Sequence, residues 1–177
     1  MRRPALLPRP AYRVWREIGT RWADNDAYGH VNNTIYYAWF DTAVNAWLVE
    51  AGLLDIQAGD PIGLVVETGC RYARPLAFPE AVEIGLAVSA LGRSSVTYRL
   101  GVFASGGDEA AAEGHFTHVY VDRASRRPVE LPDTWRDKLQ AITVADAPRP
   151  AKEIPHERSD GRRLRLRPDP LFGADRE

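Results

Sequence analysis

A chain of 177 residues makes one ordinary domain with some length to spare, enough to bury a sizeable core. Hydrophobic residues are 45% and charged residues 27%, and the formal net charge is -1, so no global field draws the chain to nucleic acid or an anionic membrane. The only cysteine is Cys70, which excludes an intramolecular disulfide and a thiolate metal cluster and favours a reducing, cytoplasmic setting.

The opening residues, MRRPALLPRP, place two arginines before a short apolar stretch. Prolines bound that stretch on both sides, so it is too short for a secretory signal, and residues 1–11 read as an N-terminal extension. No apolar run approaches the roughly 18–20 residues that cross a bilayer.

From Tyr12 the sequence YRVWREIGTRW spaces Val14, Ile18 and Trp22 among polar residues, which predicts a strand reaching Trp22 with an irregularity at Gly19. ADNDAYGHVNN follows, a loop by its Asp, Asn and Gly content. Thr34 to Ala51 then takes helical spacing, with Asn32 or Asn33 as N-cap and Gly52 just past the end. Its apolar surface, from Ile35 and Tyr36 through Trp39, Phe40, Ala43 and Val44 to Trp47 and Leu48, is too wide for a helix lying on a surface. Such a helix is wrapped by other structure.

Four strand-like segments come next, at Ile62–Arg74, Ala81–Leu91, Ser94–Ser105 and Ala110–Val121, with Gly106-Gly107 as a tight turn. Pro132 to Ile142 predicts a short closing helix. Residues 146–177 are rich in Pro, Arg and Asp and poor in large apolar groups, and read as a flexible tail. One strand, a long helix and four further strands make an α+β domain over 12–145 with a largely antiparallel sheet.

The segment RWADNDAYGHVNNTIYYAWFDTA, Arg21 to Ala43, carries the chemistry. It resembles the first strand, active-site loop and central helix of hotdog-fold thioesterases, in particular the 4-hydroxybenzoyl-CoA and short-chain acyl-CoA branch. RYARPL from Arg71, LGRSSVTY from Leu91 and VYVDRASRRPVELPDTWRDKL extend the similarity over residues 12 to 142. The resemblance implies a hotdog fold: a curved antiparallel sheet of about five strands around one long helix. It also implies acyl-CoA hydrolysis without a cofactor or metal, in a homodimer or homotetramer whose active sites lie at the subunit interface.

The chemistry can be argued from the residues as well. Thioester hydrolysis needs an attacking oxygen and a donor for the charge that develops on the carbonyl oxygen. A carboxylate ahead of a helix start supplies both, since the first helical N–H groups are unsatisfied and carry partial positive charge. The resemblance places the catalytic carboxylate at Asp26 and the helix-start amide at Asn33 or its neighbour, leaving Asp24 as a turn-former. Plant acyl-carrier-protein thioesterases are similar in this loop, with an Asp, an Asn and a His. Here those positions are Asp26, Tyr28 and His30, so the Asn is absent, and His30 could orient water, line the pocket or cap the loop. His115 and His118 read as packed or surface residues.

Gly29 and Tyr36 match the family's motif and Ser94 its hairpin, and these three, with Tyr28 between Asp26 and Gly29, are expected near substrate. Arg71, Arg74, Arg93, Arg126 and Arg127 are candidates for the CoA phosphates, because guanidinium groups suit phosphate geometry; each could equally be a solvated charge. Two further readings stay open: hydrolysis of an acyl group on a carrier protein, and a non-catalytic acyl-binding hotdog module.

Overall fold

Alternating apolar and polar residues become a single twisted sheet. In the structure, a computed structural model that describes residues 5–144, the strands are β1 (Val14–Ile18), β2 (Ile62–Tyr72), β3 (Val82–Leu91), β4 (Ser95–Ala104) and β5 (Ala110–Val121). Their order is β1-β3-β4-β5-β2, with every neighbouring pair antiparallel. Both β1 and β2 are edges.

The register Leu86↔Leu100↔Gly114 lines up one apolar face across three strands. On it Ile84, Leu86, Tyr98, Leu100, Val102, Phe116 and Tyr120 share a core with the long helix α1 (Asn33–Glu50). Tyr36, Trp39, Phe40, Ala43, Val44, Trp47 and Leu48 are buried along α1, the expected surface except for half-buried Ile35. Asn32 caps the helix through its side chain, and Gly52 at φ +67° follows its end. Helix and sheet lie close at Gly114, where a Cβ would collide with the Phe40 ring. This is the wrapped helix that its composition demanded.

Helix α2 (Asp133–Ala141) closes the domain with Leu139 buried. Its Arg136 donates to the carbonyls of Gly92 and Arg93 in the β3–β4 turn. The opposite face of the sheet is covered by the described part of the N-terminal segment. Leu6, Leu7 and Ala11 pack with Tyr12, Phe103 and Val144, and the Leu7 N–H donates to Glu113 at 2.9 Å.

Two strands stop more than one residue before their expected ends. β1 stops at Ile18, and Trp22–Asp24 forms a 3-10 turn instead of strand, because the Asp24 carboxylate captures the backbone and side chain of Arg21. β2 stops at Tyr72: the N–H groups of Ala73 and Arg74 both turn to the Ala111 carbonyl ahead of Pro75. The tail expected over 146–177 lies outside the described residues. Among the described residues, no helix is long and apolar enough to cross a membrane.

Candidate active site

The loop between β1 and α1 is held by its own short-range bonds. Asp26 N–H donates to the His30 carbonyl at 2.8 Å, and Gly29 N–H returns to the Asp26 carbonyl at 3.1 Å. Gly29 sits at φ +81°, a conformation that favours glycine. Two bonds then fasten the loop to the β2–β3 connection: Val31 N–H to the Leu76 carbonyl (2.8 Å), and Phe78 N–H to Asn25 Oδ1 (3.1 Å).

The two aspartates are treated differently. Asp24 is 1% exposed and accepts from the Arg21 N–H at 2.7 Å and from its guanidinium at 2.7 and 3.0 Å. Its own carbonyl accepts the Asn32 N–H at 2.8 Å. Asp26 is half-buried and uses one oxygen, Oδ1, to accept the Tyr28 N–H at 2.8 Å. No donor among the described residues takes Oδ2.

Asp26 lines a cavity of about 320 Å³ with Val31, Asn33 and Tyr36, and with Tyr72, Ala73, Arg74 and Pro75 from the end of β2. At the helix start, Thr34 N–H is taken by Asn32 Oδ1 at 3.0 Å. Asn33, the first helical residue, lines the same cavity, and its N–H meets no acceptor among the described residues. The residue that bears the carboxylate and the residue that bears the unspent helix-start amide therefore line one hollow. Burial pushes the Tyr36 hydroxyl up to about 12 and the Cys70 thiol up to about 11, so both stay protonated near neutrality. Cys70 is thereby a poor nucleophile.

The remaining expected positions divide. Tyr28, Gly29 and His30 are exposed and do not line the cavity, and His30 contributes its carbonyl to the loop. Arg93 and Ser94 lie in the β3–β4 turn, and Arg126 and Arg127 in the turn after β5. Both turns sit at the other end of the sheet, where Tyr120 N–H donates to the Ser94 carbonyl and Leu131 N–H to the Arg93 carbonyl. Ser95 pairs with Val119, whereas Tyr72 pairs with Ala112. That offset of seven residues is about 23 Å along β5, so the β3–β4 turn lies at the opposite end of the sheet from the Tyr72 end of β2. Arg71 is paired with Glu113 at 2.7 Å, while Arg74 borders the cavity and pairs with Glu109 at 3.7 Å.

Tyr72 was not among the residues expected at the site. Its signal was weak: an aromatic at the end of a strand, just before an X-Pro step. Among the described residues, no three His, Cys, Asp or Glu side chains come together as a metal-holding group.

A five-stranded antiparallel sheet around one long helix, with a carboxylate loop at the helix start, defines a hotdog-fold protein. The family model described as thioesterase-like superfamily matches residues 20–139, and the chain belongs to that superfamily. Among solved structures, the PA5185 protein of Pseudomonas aeruginosa strain PAO1 is 53% identical, with a TM-score of 0.76 over 79% of this chain and 98% of that one. The PA2801 protein of Pseudomonas aeruginosa is 30% identical, with a TM-score of 0.66 over 71% and 96%. A Thermus thermophilus thioesterase complexed with coenzyme A and Zn is 27% identical, with a TM-score of 0.64 over 75% and 95%. The comparison with curated proteins returned no match.

Proposed function

We propose that the protein hydrolyses an acyl-CoA thioester to the free acid and CoA, with Asp26 as general base or nucleophile and the Asn33 N–H as oxyanion donor. The observation that carries this reading is that Asp26 and Asn33 line one cavity at the start of α1. As a base, Asp26 takes a proton from water as the water oxygen bonds to the acyl carbon. As a nucleophile, it forms an anhydride that water then opens. In both routes the C–S bond breaks, CoA leaves with the electron pair, and one proton ends on its sulfur. Negative charge on the former carbonyl oxygen is met by the Asn33 N–H at the positive end of the helix.

Arg74 is the cation at the cavity's edge in the same chain. Arg93, Ser94, Arg126 and Arg127 lie at the opposite end of the sheet from the cavity of their own chain, and in this reading they meet the CoA phosphates at the site of a second copy. The unpaired edge of β2, with Val65 46% and Val66 60% exposed, is where such a copy would pair.

The test is thiol release across a panel of aromatic and straight-chain acyl-CoAs, with Asp26→Asn alongside. Turnover that drops by about two orders of magnitude in the variant is expected. Full activity in a folded Asp26→Asn protein would sink the assignment.

A further inference from the structure

We infer that Tyr72 is a positioning residue for the proposed hydrolysis: its hydroxyl holds the first carbonyl of α1 and keeps the Asn33 N–H aimed into the cavity beside Asp26. This rests on the reading of Asn33 as oxyanion donor.

Tyr72 ends β2, and its ring stands edge-on to Tyr36 with centroids 5.0 Å apart and an interplanar angle of 85°. Its hydroxyl donates to the Asn33 carbonyl at 3.1 Å. The first turn of a helix is where backbone order is weakest, because its N–H groups lack intrahelical partners. Here each peptide unit of that turn is held. The Asn33–Thr34 unit is gripped at both ends, its carbonyl by Tyr72 and its N–H by the Asn32 side chain. The Asn32–Asn33 unit is gripped at its carbonyl, which accepts the Ile35 N–H at 3.0 Å. Only the Asn33 N–H is left over, on a peptide plane whose neighbours cannot turn.

The ring alone does not account for a tyrosine at this position. Phenylalanine would pack on Tyr36 equally well, and Tyr72 is 39% exposed, so water could satisfy its hydroxyl. The hydroxyl instead reaches across from the sheet edge to a helix backbone oxygen. Partial burial and the neighbouring Cys70 and Tyr37 push its pKa up, which keeps it a neutral donor throughout the working pH range. A donor positioned in advance costs no reorganisation when charge develops, and that advantage appears in kcat rather than in substrate binding.

The experiment is Tyr72→Phe, measured with the acyl-CoA that the wild type turns over fastest and with Asp26→Asn in parallel. We expect kcat to fall about fivefold, the scale of one lost hydrogen bond, while KM moves by less than about twofold. The Kd for CoA alone and the thermal midpoint stay at wild-type values, which a merely structural role would not predict. Tyr72→Leu, which also removes the ring contact, should add a loss of stability and a rise in KM. An active wild type, a dead Asp26→Asn and a Tyr72→Phe with unchanged kcat would overturn this inference alone. A wild type that turns over no acyl-CoA would overturn the proposed function and the inference together.

Discussion

The Asp24 carboxylate is bound three times by a single residue, Arg21, through its backbone N–H and two guanidinium nitrogens, although the Arg21 side chain is 72% exposed and Asp24 is 1% exposed. The pair turns the chain out of β1 and into the loop that carries Asp26, two residues on.

Because those bonds fix the loop, Asp24→Ala should lower stability by about 2 kcal/mol, the usual cost of removing charge-assisted hydrogen bonds. Asp26→Asn removes no such network and should leave the urea midpoint within error of wild type. Equal destabilisation by the two substitutions would contradict the division of labour between the aspartates.

His118 faces the core on β5, 3% exposed, with neither ring nitrogen hydrogen-bonded among the described residues, between the rings of Tyr98, Phe116 and Tyr120. Burial pulls its pKa down to about 4, against a smaller opposing influence from Asp41. Between about pH 6.5 and pH 4 the unfolded chain therefore binds a proton that the folded one refuses. Stability from this group is intact above that window and falls through it on acidification, with a limiting slope of about 1.4 kcal/mol per pH unit. Denaturant melts from pH 7 to pH 4 should show a shallower decline in His118→Leu than in wild type.

Gly114 on β5 lies against the Phe40 ring of α1. A methyl there would strike the Phe40 ring and lie 2.7 Å from the Gly69 carbonyl oxygen, so both the helix and β2 would have to give way. Gly114→Ala should cost about 3 kcal/mol, at the upper end of overpacking penalties, read as a lowered thermal midpoint. A midpoint at the wild-type value would show that the helix can shift on the sheet.

If Arg126 and Arg127 serve the site of a second copy, two defective proteins should repair each other. Asp26→Asn and an Arg126→Ala/Arg127→Ala double variant, each impaired, should regain thioesterase activity when unfolded and refolded together. Mixtures no more active than the sum of their parts would place the phosphate contacts within one chain.

The strands were legible in the sequence because alternation shows which residues share a face, and the helix because its apolar positions recur with turn spacing. Segments from Val82 to Ala141 ended within one residue of their expected limits. The strand expected to reach Trp22 did not, since spacing alone could not show that Asp24 would capture Arg21, and Trp22 is 81% exposed.

Local features follow from neighbouring residues. Asp26, Gly29, Asn32 and Asn33 lie within eight residues, and a loop bonded to itself followed by a capped helix needs no distant partner to set their order. Tertiary structure alone decided what stands opposite them. Tyr72 reaches Asn33 across 39 residues of chain, and Arg93 and Arg126 end on the far side of the sheet from Asp26. Those placements depend on how five strands order themselves around one helix, and strand order comes from packing between segments, which no residue encodes in its neighbours.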